Sequence, residues 1–117
     1  MKENVLKDKS MLFAIRIVNL YKFLVSERKE YVLSKQVLRS GTSVGAMIRE
    51  AEFGQSKLDF IHKLSIAQKE INETLYWLEL LYKTDYLQND SYESINLDAI
   101  EIIKLITSSI KTSKSKD

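Results

Sequence analysis

No proline occurs anywhere in this chain of 117 residues, and only three glycines do. Average usage would supply about six prolines and eight glycines over that length. These two residue types punctuate turns, so a fold of many short strands and tight corners has little to build its corners from. Long helices joined by few connections remain, and the apolar residues recur at the spacing such helices need.

Phe13, Ile17, Leu20 and Leu24 follow one another at intervals of 4, 3 and 4 and predict a helix over 10–27, closed by the polar loop Arg28, Lys29, Glu30. A second helix is expected over 34–53, with Ser34 as its cap, Gly54 just beyond its end, and a stripe through Leu33, Val37, Ser40, Val44, Met47 and Ala51. Gly41 and Gly45 lie inside it. Each weakens a helix by about 1 kcal/mol relative to Ala, a cost tolerated where another backbone approaches closely. Ser56 with Asp59 resembles a capping box and opens a long helix over 57–84, striped by Phe60, Leu64, Ala67, Ile71, Leu75, Leu78 and Tyr82. Asp90 with Glu93 gives a similar start to a fourth helix over 91–110, carrying Ile95, Ala99, Ile102, Ile103, Ile106 and Ile110. The remainder, 111–117, has no apolar face and is expected to fray into a short basic tail.

Four amphipathic helices with short connections imply an all-α domain over 1–117, an antiparallel up-down-up-down four-helix bundle. The third helix, at about 42 Å, outruns the second, at about 30 Å, so one end should overhang. Its apolar surface also exceeds one stripe: Ile66, Trp77, Leu80 and Leu81 lie about 80 to 180° round from Ile71. Either these four residues form an interface between copies of the chain, or they fit under an offset helix or loop of the same subunit.

The chemistry available is narrow. Without cysteine there are no disulfides, thiolate metal sites or cysteine nucleophiles. The single histidine, His62, preceded by Asp59, is half of the motif that a di-iron bundle needs twice. The stretch GTSVG lacks the lysine and the preceding strand of a phosphate loop, and Ser43 has no base placed beside it by any motif. Neither catalysis nor a metal or cofactor is expected. The apolar run Met11 to Ile15 stops at Arg16, too short for a signal peptide or a membrane span, which leaves the cytoplasm as the expected compartment.

The formal net charge is only +2, but residues 1–50 carry 10 basic and 5 acidic groups, and residues 51–110 carry 5 and 10. Such asymmetry serves either an electropositive face or the pairing of a basic with an acidic helix. Candidates for contact with nucleic-acid phosphates are Arg16, Lys22, Arg28, Lys29, Lys35 and Arg49, with Lys111, Lys114 and Lys116 in the tail. A polar line, Gln36, Arg39, Ser43 and Glu50, runs beside the core stripe of the second helix. If the second and third helices form a hairpin turning near Gln55, Arg39 comes level with Glu70 and Glu73. That seam is either a cleft or a set of ion pairs that fixes register.

The stretch QVLRSGTSVGAMIREA at 36–51 resembles the second-helix signature of the 23S rRNA-intervening-sequence proteins, matching at Gln36, Arg39, Ser40, Ser43, Gly45, Glu50 and Ala51. The segment SKLDFIHKLSIAQKEINETLYWLELL resembles the family's long helix through Ser56, Phe60, Ala67, Glu70, Glu73, Trp77 and Leu78. Where the family usually shows Asn, Met47 stands here, so any role of that amide is unfilled. The resemblance covers roughly 10–110. It implies a four-helix bundle assembled as a homopentamer, encoded in bacteria within large-subunit rRNA genes or standing alone. The family is similar to the accessory protein of diversity-generating retroelements, a basic pentameric barrel. That similarity implies RNA or DNA and a reverse transcriptase as partners, and it names no catalytic residue.

Overall fold

The computed structural model describes residues 2–116, with side chains from Val5 onward. It contains α1 (Lys2–Ser26), α2 (Leu33–Glu52), α3 (Lys57–Lys83) and α4 (Asn89–Ser115), and no strand among the described residues. Each helix packs on the next and α4 returns to α1, while the diagonal pairs stand further apart and touch only through core side chains. The result is an antiparallel four-helix bundle measuring 50 × 21 × 19 Å. None of its helices is long and apolar enough to cross a membrane.

The stripes read from the sequence fill the centre. Phe13, Ile17 and Leu24 of α1 meet Val37 and Val44 of α2, Leu64, Ile71 and Leu78 of α3, and Ile102 and Ile106 of α4, all fully buried. Burial of each such side chain stabilises the fold by roughly 1.5–3 kcal/mol. The glycines of α2 set how closely α1 approaches. A Cβ at Gly41 would stand 2.7 to 2.9 Å from the branched side chain of Ile17, whereas one at Gly45 would meet Ser10 at an ordinary 3.5 Å.

Both outer helices are longer than their stripes indicated. α1 begins at Lys2 rather than near residue 10, because Leu6, 3% exposed, continues the apolar line one turn further, toward Ile48 and Leu64. α4 runs to Ser115, so the expected basic tail is helical. No glycine or proline stops it, and Lys111 and Lys114 sit near a helix C-terminus, where positive charge is favoured. Residue 117 lies outside the described residues.

The ends are closed by different devices. Ser56 caps α3 as expected, its Oγ accepting from Asp59 N at 3.0 Å, while the Asp59 carboxylate accepts from Gln55 N at 3.2 Å. Ser34 does not cap α2. Glu30 does, its carboxylate accepting from the backbone N–H groups of Val32, Leu33 and Ser34 at 3.2, 3.0 and 2.7 Å. The Ser34 hydroxyl donates back to the Glu30 carbonyl at 2.9 Å. α4 starts at Asn89, two residues before the expected start, so Asp90 sits in its first turn. α3 ends in a Schellman turn. Asp85 adopts φ 71°, Tyr86 N donates to Leu81 O at 2.9 Å, and Asp85 N donates to Tyr82 O at 3.1 Å.

Candidate nucleic-acid interface

Antiparallel packing of α2 on α3 brings the polar seam together. Arg39 Nη1 donates to Glu70 at 3.2 Å and Nη2 to Glu73, whose carboxylate also accepts from the Trp77 indole N–H at 2.9 Å. The Trp77 and Arg39 donors hold the Glu73 carboxyl below its ordinary range, against its partial burial. Lys63 donates to Glu50 at 2.9 Å. Beneath them the Thr74 hydroxyl lies 2.9 Å from that of Ser40, both fully buried. Ser43 donates to the Arg39 carbonyl of its own helix at 2.7 Å, and Gln36 is exposed. Gln36 apart, these groups are spent on one another, so the seam is a clasp between α2 and α3 rather than an open cleft.

Because Arg39 is half exposed, its ion pairs are worth about 0.2–1 kcal/mol. Arg39→Ala is therefore expected to lower stability by no more than about 1 kcal/mol and to alter Trp77 emission through the shared Glu73 carboxylate. Urea unfolding followed by tryptophan fluorescence checks both. Unchanged emission and an unchanged midpoint would remove the clasp.

The apolar set on α3 divides. Leu81 is 0% exposed, packed inside its own chain, and so has no surface to offer a second copy. The reason is that α3 is flanked by α2 on one side and α4 on the other, which widens its buried arc. Ile66, Trp77 and Leu80 are largely covered too, with Trp77 edge-on to Tyr76 at 5.0 Å. The larger uncovered apolar surface lies on α1, where Leu12 is 63% exposed, Ile15 50% and Phe23 42%.

The basic candidates do not form one patch. Lys22, Arg28, Lys29 and Lys35 surround the α1–α2 connection at one end of the bundle. Arg49, Lys111, Lys114 and Lys116 lie toward the other end, near the α2–α3 connection and the last turns of α4. Arg16 is paired with Asp98 of α4 at 2.7 Å. Among the described residues Lys22, Lys29 and Lys35 are exposed and make no ion pair.

Arg28 links the two connections at the first end. Its Nη1 donates to the carbonyls of Asp85 and Tyr86 at 3.0 and 3.2 Å, and its guanidinium lies 4.9 Å from the centre of the Tyr86 ring. Beside it α1 and the start of α4 border a groove of about 590 Å³ with Leu20, Leu87 and Ile95 in its lining. Arg16, Asn19, Leu20 and Phe23 reach this groove from one side of α1, at intervals of 3, 1 and 3. Tyr86, some sixty positions away, reaches the groove only through the fold.

His62 is exposed and Asp59 is engaged in capping. Among the described residues no three side chains of metal-binding type gather.

A comparison with curated proteins finds no match. Among solved structures, the chain is similar to a protein of unknown function from the S23 ribosomal protein family of Bacteroides thetaiotaomicron VPI-5482. The two share 68% identity over 95% of this chain and 99% of that one, with a TM-score of 0.94. The family model for the 23S rRNA-intervening sequence protein matches residues 2–108. With nearly the whole bundle inside that match, this chain belongs to the 23S rRNA-intervening sequence protein family.

Proposed function

We propose that the protein is a non-enzymatic helical scaffold of the cytoplasm that assembles as a homo-oligomer, a pentamer, and holds RNA or DNA on basic side chains. The observation that carries the nucleic-acid reading is the group Lys22, Lys29 and Lys35, exposed beside Arg28 at one end without carboxylate partners among the described residues. Unpaired surface cations attract phosphate without reading sequence. The family's name, which speaks of 23S rRNA, and the S23 ribosomal family of the similar structure both favour an RNA setting. Self-assembly is supported by Leu12 and Ile15, exposed on the outward face of α1. A ring would repeat the basic group around its axis and strengthen its field. The same apolar face supports a second reading, in which the partner is another protein and the charges serve solubility.

Electrophoretic titration against structured RNA and duplex DNA separates the two. Four phosphate contacts per subunit predict that affinity falls by about two orders of magnitude between about 50 and 200 mM salt. Absence of binding at the lower salt removes the nucleic-acid reading. Light scattering tests assembly: a multimer is expected, reduced in mass by Leu12→Ser with Ile15→Ser, and a monomer at micromolar concentration removes that part.

A further inference from the structure

The groove beside Arg28 differs from a flat cationic surface. Its lining includes no carboxylate, and it combines an apolar floor, two aromatic rings and hydrogen-bonding side chains. We infer that it accepts an unpaired base, so that the nucleic acid held at this end is single-stranded. This rests on the nucleic-acid reading above and deepens it.

The volume of about 590 Å³ falls within the range of small-molecule sites. Phe23 stands at the groove with much of its ring in solvent, free to stack on a base. Asn19 and Gln88 contribute amides, and Ser91 a hydroxyl, to the lining, groups able to hydrogen-bond a base edge. These groups both donate and accept, and so tolerate different bases. Arg28 is held in place by the two carbonyls it donates to through Nη1. A guanidinium has five N–H donors, so its other nitrogen atoms are left for a phosphate. Lys22 and Lys29, exposed at the same end of the bundle, add positive charge nearby.

A duplex keeps its bases stacked inside and presents phosphates to this end, leaving Phe23 and the apolar floor unused. A single strand fills both. Cations that track the backbone, combined with an aromatic face for the bases, are the arrangement that single-strand binding requires.

Fluorescence anisotropy with a labelled single-stranded RNA and the same sequence as a duplex, at low salt, tests this. The single strand is expected to bind at least tenfold tighter. Phe23→Ala is expected to weaken the single strand roughly tenfold while leaving duplex binding and the salt dependence unchanged. Phe23→Trp keeps an aromatic face and supplies a second readout: the single strand should quench the new emission and the duplex should not. Equal affinity for the two forms, or an equal loss of both in Phe23→Ala, overturns the inference and leaves the nucleic-acid reading standing. Emission from Phe23→Trp that RNA does not touch, because a second copy already fills the groove, also overturns it. Failure of both nucleic acids to bind removes the two readings together.

Discussion

Glu30→Ala is expected to cost about 2 kcal/mol and to lower the melting temperature by roughly 6–10 °C. One carboxylate, 9% exposed, satisfies three backbone N–H groups at the start of α2 that have no partner within the helix. Alanine leaves all three without an acceptor. Burial pushes the Glu30 carboxyl up, but the N–H donors of Leu33, Ser34 and Val32 and the Ser34 side chain outweigh it and hold it below the ordinary 4.5. The unfolded chain therefore takes up the proton more readily than the folded one. The stability this group supplies is full above its unfolded value and is lost as pH falls through the folded value. The gap between wild type and Glu30→Ala should accordingly narrow as pH is lowered below 4.5. Thermal melts at matched protein concentration measure it, and coincident curves at neutral pH would show that Glu30 is not the cap.

The second large effect is a difference between two apparently equivalent glycines. Gly41→Ala drives a methyl group into Ile17, a fully buried β-branched residue with little room to turn. Overpacking of this kind costs about 1–3 kcal/mol, only partly offset by about 1 kcal/mol of helix propensity. Gly45→Ala meets Ser10 at ordinary contact and keeps the helical gain, so it should stabilise by up to about 1 kcal/mol. Denaturant midpoints should move in opposite directions. Movement of both in the same direction would contradict the crossing geometry.

The contrast also shows what the sequence made legible. Both glycines were readable as marks of a close crossing, because a costly residue repeated inside a helix needs a packing reason. Which one is tight depends on what faces it, and Ile17 and Ser10 lie far from α2 in the chain. The four stripes were legible because helical periodicity is local. Leu6 was missed because lysine and glutamate crowd around it, and the helical 111–115 because a polar segment shows no stripe even where nothing stops the helix. Leu81 was misjudged because angles around one helix do not tell how many neighbours embrace it. The capping role falls to Glu30 rather than Ser34 because a carboxylate in the preceding loop folds over the N–H groups of Val32, Leu33 and Ser34 itself. At the groove, charge alone marks Arg16 and Arg28 in the sequence, while nothing local marks Phe23 or Tyr86. Their significance arises only when two distant connections meet.

An even number of antiparallel helices returns the chain to the end where it began, so Lys2 and Ser115 both lie remote from Arg28 and Tyr86. A purification handle or surface tether attached to either extremity therefore stands most of the 50 Å long axis away from the groove. Immobilised protein would then present that groove outward, unobstructed by its own anchor.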